Sequence, residues 1–221
     1  MPENSVSEII RNTIKMQKLS GIKRRESLLY SDITGGIASR LIELANENTD
    51  SRERARILSE IVDNKGFELA HRSAEKKTIT KIFGTIRKED AEYEDNLNGA
   101  KSLNSIGYDV YMLPRISGRK SFDYILVKDK KVYAAELKTI YGKNSLNNRL
   151  NTASEQSDRV VLNVVGVATS RYVADEIKGF YLKNPHIREI VVLKGGKPIY
   201  VSYEHATRKN FARTFMDLWA R

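Results

Sequence analysis

Two alternating apolar segments, residues 122–127 and 132–140, flank the polar stretch Lys128-Asp129-Lys130-Lys131, and this pairing constrains the fold more than any other feature of the chain. Side chains on a strand alternate between faces, so the two segments read as strands of one hairpin with a charged turn between them. A hairpin centred between Asp129 and Lys130 sets Lys128 against Lys131, Val127 against Val132 and Asp123 against Glu136. A two-residue or a four-residue loop gives this register, whereas a three-residue loop shifts it by one and moves every side chain to the other face. Directly opposed residues have Cβ atoms about 4.5–5.5 Å apart, so the register brings two carboxylates together.

Glu136-Leu137-Lys138 adds a lysine on the same face as Glu136, because residues i and i+2 of a strand point the same way. Two buried carboxylates at this separation repel, and without compensation one of them protonates. A divalent cation removes the repulsion and uses both as ligands, with Asp123 and Glu136 as the metal-binding pair. Lys138 can then orient or deprotonate a water, or stabilise charge on a phosphate in the transition state. Together the three suffice for phosphodiester hydrolysis. The competing reading is a solvated cross-strand salt-bridge patch, against which Tyr133, Ala135 and Leu137 predict that the opposite face is buried. The chain has no cysteine and only three histidines, none at ligand spacing from another. Thiolate sites, disulfides and cysteine nucleophiles are therefore excluded, and a cation held by hard oxygens points to Mg²⁺ or Mn²⁺.

Upstream, the pattern is helical. Ser5-x-x-Glu8 and Asp50-x-x-Glu53 are capping boxes leading into apolar residues at helical spacing, and Ile79, Ile82, Phe83 and Ile86 continue that period. The sequence thus predicts a helical N-terminal region over residues 1–86, a boundary within residues 84–90, and a second domain over residues 87–221. In that domain residues 92–106 read as a helix closed by Gly107. Strands are predicted at residues 108–114, 122–127, 132–140 and 159–167, with helices at residues 147–158 and 170–183. Two short strands around Lys194-Gly195-Gly196-Lys197 and a C-terminal helix striped by Phe211, Phe215, Leu218 and Trp219 follow. The expected class is α/β: a central mixed sheet flanked by helices.

Phe122-Asp123 followed by Glu136-Leu137-Lys138 resembles the PD-(D/E)xK nuclease superfamily, with Phe122 in place of the family proline. The preceding helix-glycine-strand unit, residues 100–110, looks like the first helix and strand of that restriction-endonuclease-like core. The resemblance spans about residues 92–167. A narrower one follows: Asn144-Ser145-Leu146, then Ala153-Ser154-Glu155-Gln156 before an apolar strand, is similar to C-terminal nuclease domains of bacterial polymorphic and contact-dependent growth inhibition toxins. It implies that Ser145 and Gln156 line the site, although Ser145 reads equally well as a helix cap and Gln156 as an exposed helix residue. It also implies a tRNA substrate ahead of DNA, a cognate immunity protein, and action in the bacterial cytoplasm after delivery within a larger protein. The superfamily often adds an acid from a helix; Glu92 and Glu94 are the candidates, and Glu94 is chosen because it stands one turn before Leu97. A DNA endonuclease of repair, restriction or junction-resolving type is the alternative, followed by a non-catalytic nucleic-acid-binding module.

A net charge of +10 favours polyanionic partners. Arg115, Arg119 and Lys120 immediately precede Asp123 and are the candidate phosphate contacts, with Lys143, Arg149 and Arg159 extending the basic surface. Gly195-Gly196 lacks the rest of a phosphate loop and reads as a hairpin turn. No apolar run is long enough to span a bilayer, and no apolar leader follows Met1.

Overall fold

The computed structural model describes residues 50–83, 92–114, 122–142, 146–195 and 197–220. In chain order the elements are α1 (Ser51–Val62), β1 (Phe67–Arg72), β2 (Ile79–Phe83), α2 (Tyr93–Ser105), β3 (Asp109–Met112), β4 (Tyr124–Lys128), β5 (Lys131–Ile140), α3 (Leu146–Ser154), β6 (Arg159–Val164), α4 (Ser170–Lys183), β7 (Glu189–Lys194), β8 (Lys197–Val201), α5 (Tyr203–Ala206) and α6 (Phe211–Ala220). The eight strands form one sheet whose spatial order follows the chain. β2 with β3, β5 with β6 and β6 with β7 run parallel, and the other neighbours antiparallel. The expected mixed sheet flanked by helices is therefore present. No helix of the described residues is long and apolar enough to cross a membrane.

Local chemistry sets the element ends. Asp50 caps α1, its Oδ1 accepting from the N–H groups of Arg52 and Glu53 at 2.8 and 2.9 Å. α2 closes in a Schellman turn: the Tyr108 N–H donates to the Leu103 carbonyl and the Gly107 N–H to that of Asn104. Gly107 stands at φ 93°, which glycine adopts without steric cost. The β4–β5 turn has two residues, Asp129 and Lys130, both at positive φ (50° and 61°), the backbone of a type I′ hairpin. Tyr124 pairs with Ala135, Val127 with Val132 and Lys128 with Lys131. The charged turn thus produces the register expected from the sequence.

The segment at residues 79–83 corrects a helical expectation, because it is strand β2. Lying between β1 and β3, it buries both faces: Thr80 and Ile82 are buried, and Phe83 packs edge-on against Phe67. A short strand buried on both sides loses the alternation that distinguishes it from a helix turn. β2 before the expected boundary and β3 after it pair in the same sheet; the boundary residues themselves, 84–91, lie outside the described set. A buried asparagine ties the two strands to α2. Asn104 accepts from the Thr80 hydroxyl at 2.6 Å and donates to the carbonyls of Ile79 and Tyr108 at 2.9 and 2.8 Å.

Three apolar clusters hold the layers together. On one face α2 packs Leu97, Ala100 and Leu103 against Tyr124, Ala135, Leu137 and Val161. On the other, α1 covers Ile125 and Ala134 with Ile57, Leu58 and Ile61. Ile140, Leu162 and Val164 of that same face pack against α3, α4 and α6. Phe211 and Phe215 of α6 are buried there and Trp219 partly so, as the apolar stripe predicts, whereas Leu218 of that stripe is exposed. Between Ala134 and Ile140, on the face shared by the last two clusters, β5 carries Glu136 and Lys138.

Candidate active site

The hairpin carries the site. Strand pairing stops at Tyr124–Ala135, and the next step places Asp123 opposite Glu136. Crossed hydrogen bonds fix both carboxylates to backbone. Glu136 Oε2 accepts from the Asp123 N–H at 3.1 Å, and Asp123 Oδ2 accepts from the Leu137 N–H at 3.0 Å. The second oxygen of Glu136 takes the Lys138 ammonium at 2.5 Å. Glu136 is 0% exposed and Asp123 nearly buried, so the salt-bridge patch on a solvated face is not what the hairpin forms.

Electrostatics at the pair are unbalanced. Burial first, and the neighbouring Asp123 charge second, push the Glu136 carboxyl up to about 8, against the opposing pull of Lys138. A hydrogen bond between the two acids adds to the rise. A buried acid pushed up although a lysine touches it has more negative charge beside it than the neighbouring cation balances. The donors are hard carboxylate oxygens, which suit Mg²⁺ or Mn²⁺. Among the described residues no group of three or more histidine, aspartate or glutamate side chains stands ready to hold a metal. Asp123 and Glu136 are the two carboxylates of this group that could hold such a cation.

Gln156 joins this group, its Oε1 accepting from Lys138 Nζ at 3.5 Å. It lies in the turn after α3, held by Ser157, whose hydroxyl donates to the Ala134 carbonyl at 3.1 Å and accepts from the Arg159 N–H at 3.2 Å. Glu94 is on the exposed side of α2 and acts on Tyr93. Tyr93 is itself buried one turn before Leu97, so the buried stripe runs through it and turns Glu94 toward solvent. Asp95 is the α2 acid that faces the sheet: it accepts a hydrogen bond from Tyr141 and acts electrostatically on the buried Tyr124 together with Asp123 and Glu136. Neither Asp95 nor Ser157 stands out in the sequence; including Tyr93 in the stripe would have pointed to the former.

The remaining calls divide by position. Arg115, Arg119, Lys120, Lys143 and Ser145 lie outside the described residues. Arg149 is exposed on α3. Arg159 stacks over the Tyr133 ring and pairs with Glu189 at 2.7 Å, which occupies its guanidinium in joining β6 to β7. Lys194 and Lys197 face each other in the β7–β8 hairpin, with Gly195 at φ 57° in the turn.

No protein-family model matches the chain, and no curated protein matches it. Among solved structures the chain is similar to a chain of the CdiA-CT/CdiI toxin and immunity complex from Burkholderia pseudomallei, with 17% sequence identity and a TM-score of 0.35 over 53% of this chain and 92% of that one.

Proposed function

We propose that this chain is a divalent-metal-dependent endonuclease that hydrolyses phosphodiester bonds. The observation that supports the reading best is the buried Asp123–Glu136 pair, clamped face to face by crossed hydrogen bonds to backbone with the Lys138 ammonium 2.5 Å from Glu136. Asp123 and Glu136 would hold the cation. When bound, it supplies Lewis-acid polarisation of a phosphoryl oxygen and lowers the pKa of a coordinated water. The chain's own residues do the rest. The backbone N–H groups of Asp123 and Leu137 hold the carboxylates in a fixed orientation, so no reorganisation is needed when charge develops. Lys138 presents its ammonium between Glu136 and Gln156, where it can orient the attacking water or meet the negative phosphoryl oxygens. Gln156, at 3.5 Å, offers that ammonium a second, weaker acceptor.

The finer assignment is a toxin-type nuclease that prefers tRNA to DNA, acts in the cytoplasm of a bacterial target after delivery within a larger protein, and is neutralised by an immunity protein. It rests on the sequence resemblance of residues 144–162. The test is incubation of the purified chain with total RNA, tRNA and plasmid DNA, in Mg²⁺ or in chelator, beside Asp123→Ala and Lys138→Met. Cleavage that needs the metal, with both variants slower by at least about 100-fold, is expected from the size of single electrostatic contributions to catalysis. An Asp123→Ala protein that cleaves as well as the parent would refute the site, and cleavage of plasmid alone would move the substrate to DNA.

A further inference from the structure

On the opposite face of β5, at the carboxyl ends of the parallel strands β5 and β6, three polar side chains gather: Thr139, Asn163 and Tyr141. Thr139 is 5% exposed, and its hydroxyl has no hydrogen-bond partner. Asn163 stands beside it in register and is 9% exposed, and no hydrogen bond of its carboxamide occurs among the described residues. Tyr141, two residues beyond Thr139, is 54% exposed, with its hydroxyl hydrogen-bonded to Asp95. Natural folds pair almost all buried polar groups, and an unpaired one costs about 1–3 kcal/mol. One such group beside a largely buried carboxamide at one strand end, below an exposed ring held by Asp95, is what a fold leaves for a ligand rather than for itself.

Position supports the same conclusion. Open α/β sheets bind ligands in the crevice outside the carboxyl ends of their parallel strands. Here those ends are clamped together: the N–H groups of Val165 and Gly166 both donate to the Ile140 carbonyl, at 3.0 and 3.2 Å. Arg149 of α3 lies near enough to act on the Tyr141 phenol, placing a cation beside the ring. Lys138 is the residue before Thr139, so the catalytic face and this recess are the two sides of one strand end.

We infer that Tyr141, Asn163 and Thr139 form a subsite for one unpaired nucleobase of the substrate, the ring of Tyr141 stacking on the base and the two polar groups meeting its edge. A carboxamide matches the donor–acceptor edge of a base, aromatic stacking suits single strands and loops, and Arg149 meets the adjoining phosphate. The inference rests on the nuclease reading and deepens it, because it restricts cleavage to sites with a nucleotide out of the stack.

The experiment is fluorescence anisotropy with Asp123→Ala protein, which holds the substrate without cutting it. The probes are a fluorescein-labelled 12-nucleotide single-stranded RNA and the same strand annealed to its complement. Tighter binding of the single strand is expected. Tyr141→Ala should weaken it by roughly 10-fold, within the range found for loss of one base–aromatic stack, and leave the duplex unchanged, whereas Tyr141→Phe should retain it. Thr139→Val carries a second signature: weaker single-strand binding together with a higher melting temperature, since a methyl replaces an unpaired buried hydroxyl. If the protein binds the strand but Tyr141→Ala and Thr139→Val leave its affinity unaltered, the subsite is refuted and the nuclease reading stands. If neither probe binds, the subsite is refuted, and the nuclease reading is decided by the cleavage assay with RNA and plasmid.

Discussion

Replacing Glu136 by glutamine should make the chain more stable above neutrality while removing its cation site. In the folded chain the carboxyl sits at about 8 against an ordinary value of 4.5, chiefly because it is buried and secondarily because Asp123 adjoins it. The folded state therefore keeps a proton that the unfolded state releases. Its contribution to stability is fully present below about pH 4.5 and is lost as pH rises through about 8. At 1.36 kcal/mol per unit, the loss is roughly 3 kcal/mol by pH 7 and on the order of 5 kcal/mol beyond pH 8. For a chain of this size roughly 3 kcal/mol corresponds to about 6–12 °C in melting temperature. Thermal unfolding in chelator should thus show the parent falling steadily between about pH 4.5 and 8 and levelling above, and Glu136→Gln nearly flat. Mg²⁺ or Mn²⁺ should recover the parent at pH 8, because binding to the folded state alone stabilises by mass action, and should do nothing for the variant. A variant that falls as steeply as the parent would show that another group carries the shift. A parent indifferent to the cation at concentrations that support cleavage would remove the metal from this pair.

Three further substitutions probe the frame that positions the site. A Cβ on Gly166 would lie 1.8 Å from the Tyr141 carbonyl oxygen, so Gly166→Ala should force the ends of β5 and β6 apart and lower the urea-derived stability by about 3 kcal/mol or more. Asn104→Leu leaves the Thr80 hydroxyl and the carbonyls of Ile79 and Tyr108 unpaired; a loss of about 3 kcal/mol in chemical unfolding, centred on β2 and α2 in hydrogen exchange, is expected. Lys130→Gly relieves a non-glycine residue at φ 61° and should stabilise the hairpin by about 1 kcal/mol without altering cleavage.

The hairpin was readable before any coordinates because two independent signals agreed: alternation fixed the faces, and a purely polar turn fixed the centre. Register then followed by counting, and with it the meeting of Asp123 and Glu136. Where only one signal was present the reading failed or stayed open. In β2, spacings of three and one between Ile79, Ile82 and Phe83 match a helix as well as a strand buried on both faces, and only the flanking strands decide. Along α2 an error of one residue rotates a side chain by 100°, so choosing Leu97 rather than Tyr93 as the start of the stripe selected Glu94 where Asp95 faces the sheet. Gln156 illustrates a different limit. Its approach to Lys138 depends on Ser157 bonding across to Ala134, a long-range contact that no local period encodes.

Both sides of the β5 end break a rule that the rest of the sheet obeys. Apart from Tyr124, buried positions of β4 to β7 are filled by valine, leucine, isoleucine and alanine, and the charged or amide and hydroxyl exceptions gather within a few residues of one another: Asp123, Glu136 and Lys138 on one face, Thr139 and Asn163 on the other. If these residues served the fold, replacing them by isosteric neutral or apolar groups would cost stability. If they serve a reaction, the same replacements relieve desolvation and leave the core intact, so the apo chain gains stability as it loses function. Glu136→Gln and Thr139→Val put that distinction to one measurement on two unconnected groups. Polar residues in a core can be structural, as Asn104 shows with three hydrogen bonds to its surroundings. Glu136 differs from Asn104 in being buried beside a second carboxylate, and Thr139 in having a hydroxyl without a hydrogen-bond partner; neither arrangement helps the fold, and a ligand would account for both.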